Sequence, residues 1–324
     1  MDICVVIVTY GERAHLVKQV VDSCVGGTVK KIIIVDNGSG IDNKVKLMAI
    51  SDMYPKTVEI LTMESNTGSA GGFHAALEKA SCIEDIDFIL ALDDDNKIEL
   101  ASIHKLEQYW QEHVRKDAED NTVLLALRED RLHYMQFIAT RDDDVLLGAK
   151  NSFMGFHIAN YLKKIVGGST KKQMFSEKIV SPIAPYGGMF FHRELLKRHG
   201  LPKKEMFLYC DDTEFSYRIT KSGGEIIIIP DAKIIDLDQS WDSGSRKKRF
   251  NSPILETKDD FRVYYSFRNR VFFERNNLLT NNFVYWTNFS IFLANLTVKA
   301  IYQKKMGKVR LVIKSVREGY RLDI

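Results

Sequence analysis

Three consecutive carboxylates, Asp93, Asp94 and Asp95, follow the apolar run Phe88-Ile89-Leu90-Ala91-Leu92, so they emerge where a buried strand should end. Like charges so placed repel unless a divalent cation or a neighbouring base neutralises them. Hard oxygen donors suit Mg²⁺ or Mn²⁺, whose remaining positions are commonly taken by substrate phosphates. A solvated acidic loop has the same composition, and these residues alone leave both readings open. A second pair, Asp211-Asp212, heads a helix-like segment that runs on through Glu214 and Arg218, which are spaced to pair across one helical turn. Acids at a helix start complement the macrodipole. Two adjacent carboxylates in a cleft also push the pKa of one upward, which makes a base.

Other polar clusters follow apolar runs in the same way. Asp36 ends the second run in Asp36-Asn37-Gly38-Ser39-Gly40, where an acid can accept hydrogen bonds from a base or ribose, although Asx-Gly sequences are also ordinary turns. Thr9, Tyr10, Glu12 and Arg13 follow the first run. The segment Asn66-Thr67-Gly68-Ser69-Ala70-Gly71-Gly72 has the composition of a phosphate cradle at a helix start, and close helix packing asks for the same glycines. Its spacing is not GxGxxG, and no GxxxxGK[ST] occurs, which excludes a Rossmann cofactor or a P-loop. The eight histidines form no HxxxH pair, and Asp142 to Asp144, with no strand feeding them, read as a solvated loop.

The elements that must hold these groups are legible in the apolar runs. Residues 3–8 and 32–35 flank a helical segment over 15–24, a βαβ pattern, and residues 57–62 and 87–92 supply two more strands. A helix is expected over 73–80. Right-handed crossovers place the loops after the strands along one sheet edge, where ligands bind in such folds. Residues 123–127 and 135–139 are candidate strands, 193–199 a helix, and 225–229 a strand stopped by Pro230. The expected division is a catalytic domain over 1–240, with a nucleotide-binding half (1–98) and an acceptor half (99–240), followed by a helical region over 241–324.

The 324 residues, 45% hydrophobic, suffice for one large α/β domain with an appendage, and a net charge of +3 gives no case for nucleic acid. Cys4, Cys24, Cys82 and Cys210 show no CxxC spacing and read as reduced core residues of a cytoplasmic protein. The N-terminus opens directly on a strand, with no secretion signal. Residues 283–302 are too interrupted by polar groups to span a bilayer, and the stretch remains able to touch a membrane surface.

In this order, Val5 to Tyr10, Val35 to Ser39, Asn66 to Gly72, the triple Asp and Asp211-Asp212-Thr213-Glu214 resemble the family-two inverting glycosyltransferases of GT-A fold, over roughly residues 3–275. Together with Tyr265-Ser266-Phe267-Arg268-Asn269-Arg270, they look most like bacterial galactofuranosyltransferases and their rhamnosyltransferase relatives. The resemblance implies a nucleotide-sugar donor, UDP-galactofuranose foremost, and a glycan or lipid-linked acceptor. It implies that Asp36 contacts uridine, Asp93 the nucleoside side and Asp95 the metal, with Asp212 as catalytic base and Asp211 beside it. The family's metal-binding His is replaced here by Asp238, three residues before Trp241, and a carboxylate ligates Mg²⁺ or Mn²⁺ as readily.

The expected mechanism is a single displacement with inversion, Asp95 and Asp238 holding the cation and Asp93 near it, and part of 141–181 forming an acceptor side or lid. Gly188 and Trp241 are the candidate sugar or acceptor contacts. Basic and apolar residues alternate after Lys299. Such a helix suits an anionic membrane surface, on the inner face of the plasma membrane, or packing on the catalytic domain or on another subunit. A nucleotidyltransferase and a non-catalytic binding relative are the rival readings.

Overall fold

The structure, a computed structural model, describes residues 1–159, 178–238 and 252–324. The chain divides into two compact units, one of Met1–Ile138, Ser176–Phe207 and Asp211–Trp241, the other of Ala139–Phe175, Leu208–Cys210 and Asp242–Ile324.

In the first unit, the near-continuous apolar runs form β1 (Ile3–Thr9), β2 (Val29–Asp36), β3 (Val58–Thr62) and β4 (Phe88–Asp93). β1 pairs in parallel with β2 and β4, and β2 with β3. Residues Ile3 to Ile7 have no solvent exposure, as a strand covered on both faces requires. The intervening helices are α1 (Ala14–Cys24), α2 (Ile41–Met53) and α3 (Gly68–Ser81). α1 buries Leu16, Val17, Val20, Val21 and Cys24, the i, i+3, i+4 stripe of an amphipathic helix.

The sheet continues through β5 (Asn96–Ile98), β6 (Thr122–Leu127), β7 (Ile179–Ser181), β8 (Met189–His192) and β9 (Glu225–Asp236), in the order β3-β2-β1-β4-β8-β6-β9-β5 with β7 on β9. β8 runs antiparallel to both β4 and β6, while β6 and β9 are parallel. Helices α4 (Leu100–His113), α5 (Leu132–Thr140), α6 (Glu194–His199) and α7 (Asp211–Lys221) complete the set used below. Trp110 of α4 packs edge-on against Phe88 and Phe190 in the core.

Several local expectations are corrected. Residues 135–139 lie in α5, not in a strand, because Tyr134 and Phe137 are its buried positions and three-residue spacing is helical. β9 does not stop at Pro230. Pro230 is exposed where the β6 pairing shifts register, between Ile229 and Lys233, and an irregularity tolerates a residue without an N–H. α3 begins at Gly68, five residues before the expected start. Of the cysteines, Cys4 and Cys24 are buried, but Cys82 is exposed and Cys210 only half-buried. Asp142 to Asp144 are exposed as expected, yet Asp144 opens a short helix to Leu147.

The second unit contains α8 (Asp260–Asn277), α9 (Asn282–Tyr302) and α10 (Met306–Arg321). Asp259 and Asn281 cap α8 and α9 by accepting from the N–H groups of Arg262 and Val284, both at 3.1 Å. Val309, Val312 and Val316 of α10 enter one core with Val263, Phe267 and Val271 of α8. Gly319 permits this approach, since a Cβ there would meet the Arg268 carbonyl oxygen at 2.1 Å. The alternation after Lys299 therefore marks a helix packed on its own unit. Among the described residues, no helix is long and apolar enough to cross a membrane.

Candidate active site

The carboxyl ends of β1, β2 and β4 lie side by side, Thr9 opposite Asp36 and Val8 opposite Asp93. Asp93 is the last residue of β4, and Asp94 and Asp95 form the turn into β5, so parallel pairing alone delivers the triple Asp to the same edge as Thr9, Arg13 and Asp36. Thr9 Oγ1 donates to Asp94 Oδ2 at 2.7 Å. The Arg13 guanidinium then takes three carboxylates at once: Nε bonds Asp94 at 2.9 Å, Nη2 bonds Asp95 at 2.8 Å and Nη1 bonds Asp238 at 2.7 Å. Burial pushes the Asp94 carboxyl up to about 6 against the pull of Arg13. Asp95 is also raised, by burial and then by the neighbouring charge of Asp93.

Asp93 turns to another cation. Arg128, immediately after β6 and only 9% exposed, donates through Nη1 to Asp93 Oδ2 at 3.2 Å and to Asn96 Oδ1 at 3.0 Å. Asn96 Nδ2 in turn donates to Asp95 Oδ1 at 3.0 Å and to Asp236 Oδ1 at 2.8 Å, and Arg131 Nη2 bonds Asp236 at 2.6 Å. Arg128, Asn96, Arg131 and Asp236 were not among the residues singled out from sequence. Arg128 carried a usable signal, a charged residue directly after a buried apolar strand, as with the triple Asp. Asp236 carried none once β9 was taken to end at Pro230.

Asp211 and Asp212 open α7 on the same side of the unit. Ser69 Oγ, in the first turn of α3, donates to Asp211 Oδ2 at 2.8 Å, and the Thr213 N–H donates to Asp212 Oδ1 at 2.6 Å. Both carboxyls are raised above their ordinary range, principally by burial, with the charge of Asp212 adding to the rise of Asp211 and that of Asp93 to the rise of Asp212. Arg128 acts on Asp212 in the opposite sense. Tyr186, stacked on Phe73 with ring centroids 4.0 Å apart, closes the apolar side of the pair. The expected ion pair across one turn of α7 is present, with Arg218 Nε 3.0 Å from Glu214 Oε1.

The remaining sequence candidates fall as follows. Asp36 is buried, with Oδ1 accepting from the Ser39 N–H at 3.0 Å and Oδ2 carrying no hydrogen bond among the described residues. Tyr10 is exposed, and Glu12 lies 3.6 Å from Lys46. The glycine-rich segment is tightly packed: Asn66 Oδ1 accepts from the Gly68 N–H, the Ala70 N–H is taken by the Phe207 carbonyl, and a Cβ at Gly71 or Gly72 would meet Thr67 or Val8 at 2.4 Å. Packing thus accounts for the glycines. Gly188, in the turn just before β8, donates its N–H to the Ala91 carbonyl and accepts from the Ala126 N–H, so its backbone is taken up by the neighbouring strands. Gly187, one residue earlier, borders the charges, since a Cβ there would meet Asn96 Oδ1 at 1.9 Å and Asp93 Oδ2 at 2.9 Å. Trp241 and residues 160–177, part of the expected acceptor side or lid, lie outside the described residues.

As a test for a divalent cation, the donor chemistry fits. Asp95 and Asp238 present oxygens to neighbouring nitrogens of one guanidinium, so both already face a single positive centre. Among the described residues, no three His, Cys, Asp or Glu side chains close into a cage. A hard cation completed by phosphate oxygens needs only one or two carboxylates.

Fold and edge together define an α/β protein whose carboxylates gather where parallel strands end, the place at which such sheets bind ligands. The sequence matches the family model for glycosyl transferase family 2 over residues 4–200, and the chain belongs to that family. No curated protein matches it in sequence. The structure is similar to the mannosyltransferase PcManGT from Pyrobaculum calidifontis, solved with GDP-Man and Mn²⁺ (12% identity, TM-score 0.55, 99% of this chain and 88% of that one). It is similar to GalNAc-T7, solved with UDP, GalNAc and Mn²⁺ (15%, TM-score 0.52, 83% and 47%), and to S. aureus TarS (15%, TM-score 0.49, 91% and 43%). The chain spans less than half the length of the last two. The fold is GT-A, with a helical C-terminal region.

Proposed function

We propose that this protein is an inverting glycosyltransferase that moves a sugar from a nucleotide-sugar donor to an acceptor hydroxyl. The observation that carries this reading is the placement of the Asp211-Asp212 pair within electrostatic reach of Asp93 and Arg128, so that a base of raised pKa stands near the carboxylate edge. The GDP-Man, UDP and Mn²⁺ in the similar structures support the donor class and a divalent cation, Mn²⁺ or Mg²⁺. Asp36, Asp93 and the Arg13 side chain provide the nucleotide side, and Asp95 with Asp238 would hold the cation. When bound, that cation offsets the charge that develops on the diphosphate leaving group. Asp212 accepts the proton of the acceptor hydroxyl, whose oxygen attacks the anomeric carbon on the face opposite the nucleotide and inverts it. Asp211, held by Ser69, orients its neighbour.

The motif order favours UDP-galactofuranose as donor, with dTDP-rhamnose second, and a glycan or lipid-linked acceptor in bacterial surface-polysaccharide synthesis. A cytoplasmic enzyme, peripheral on the inner face of the membrane, is the location that goes with this reading. The 1–240 catalytic and 241–324 helical division belongs to the same reading. Incubation with radiolabelled UDP-galactofuranose, UDP-galactose, UDP-glucose and dTDP-rhamnose, with Mn²⁺ or Mg²⁺ and lipid-extract acceptors, tests it. Transfer from one donor with inversion is expected. Nucleotide binding without transfer to any acceptor would leave a binding protein instead.

A further inference from the structure

We propose that the outward face of α9 is a docking surface for an anionic bilayer. Ile291, Val298 and Tyr302 recur at seven and four residues, so they form one stripe along about three turns of the helix. Val298 is 66% exposed, Ile301 beside the stripe 62% and Tyr302 77%. The opposite face is spent on the unit's own core through Tyr285, Leu296 and Ala300. Soluble helices rarely leave a run of this kind uncovered.

Two observations select the occupant. Residues 282–321 carry eight Lys and Arg against one acid, Glu318, a local charge of +7 in a chain whose total is +3, so everything else sums to −4. α9 itself has no acidic residue, and Lys304 and Arg310 stand exposed just past its end. An apolar stripe that runs out at the exposed Lys304, with a further exposed cation at Arg310, matches a surface of anionic headgroups over acyl chains. Beside the stripe, a cavity of about 230 Å³ is lined by Phe156, Ile254, Ile291, Phe292 and Leu296 on its apolar side and by Ser252, Asn295 and Lys299 on its polar side. The surface therefore lies on α9 rather than α10, whose valines are buried.

The inference rests on the transferase reading only for its purpose, which is to bring the enzyme to a lipid-linked acceptor. Co-sedimentation of the full chain with phosphatidylcholine vesicles, with and without phosphatidylglycerol, tests the surface itself. Binding to the anionic vesicles alone, reversed by salt, is expected. The double variant Val298→Asp/Ile301→Asp should lose tenfold or more in partitioning, while its UDP affinity and melting temperature stay unchanged. A second variant, Lys304→Glu/Arg310→Glu, leaves the apolar stripe intact and should lose binding to anionic vesicles by a similar factor. Equal binding by wild type and both variants overturns the proposal. So does a change of oligomeric state in the Asp variant with vesicle binding intact, which would make the face a contact between copies. Loss of transfer to a soluble acceptor with vesicle binding retained would count against the transferase reading and leave the surface standing.

Discussion

Each unit buries carboxylates, and the two treat them differently. In the second, Glu274 is fully buried and wholly satisfied: Arg270 Nε donates at 2.8 Å, Tyr285 Oη at 3.0 Å and the Met154 N–H at 3.0 Å, and Arg270 is held in turn by the Leu147 carbonyl. In the first, Asp94 and Asp95 share one guanidinium with the exposed Asp238, Asp36 keeps a buried oxygen without a hydrogen-bond partner among the described residues, and the charge of Asp212 raises the cost of ionising Asp211. A satisfied buried charge specifies packing. Charges crowded beyond their partners, at the edge of a parallel sheet, are the pattern expected of a ligand site.

The sharpest way to break this contrast is Asp212→Asn. If Asp212 is the base, transfer should fall by about 10² to 10⁴ with donor affinity unchanged, because the amide keeps the shape and deletes the basicity. The acid limb of the wild-type rate should lie above the ordinary carboxylate range, since burial raises the group that must be unprotonated. Near-normal turnover in Asp212→Asn beside a dead Asp211→Asn would exchange the two roles.

Glu274→Ala tests the other side. Removing one partner of a buried pair leaves Arg270 uncompensated and typically costs about 3 to 5 kcal/mol. Urea unfolding followed by a probe in the second unit should show it, with UDP affinity of the folded protein unchanged. A loss of UDP affinity with no loss of stability would place Glu274 among functional groups.

Asp95→Ala should act in the opposite sense, sparing stability and removing the Mn²⁺-dependent part of UDP affinity, a loss of at least the order of tenfold to a hundredfold that losing even an outer-shell partner of a metal ligand costs. Calorimetric titration with and without Mn²⁺ reads it. Unchanged metal-dependent affinity would assign the acidic turn to Arg13 alone.

How much of this was legible follows from what each signal encodes. The parallel half-sheet and its acidic edge were readable because an apolar strand followed at once by Asp states both burial and exit, as at Leu92-Asp93 and Val35-Asp36. The glycine-rich segment was ambiguous because backbone close to an anion and backbone close to Thr67 and Val8 ask for the same missing Cβ. α5 was misread because residues 135–139 are too short for periodicity to separate helix from strand. Of the Arg128 network only Arg128 itself was signalled, as a charge directly after an apolar strand, because its partners come from β5, the turn after β6 and the far half of β9, joined only by tertiary pairing.

The smallest effect concerns stability and pH at Asp211. A carboxyl whose folded pKa lies above its unfolded value holds its proton more tightly when folded, so it favours folding at low pH, and that contribution is lost as pH rises through the raised value. Asp211 is raised by burial and by Asp212. Asn at this position can still accept the Ser69 hydrogen bond but never ionises. Asp211→Asn should therefore be more stable than wild type at pH 8, by on the order of 1 kcal/mol. The gap should close as pH falls towards about 4, the unfolded carboxyl range. Melting curves across that interval give both stabilities. A variant less stable than wild type at every pH would mean that Asp211 is a satisfied structural acid like Glu274, and the distinction between the two units would fail at that residue.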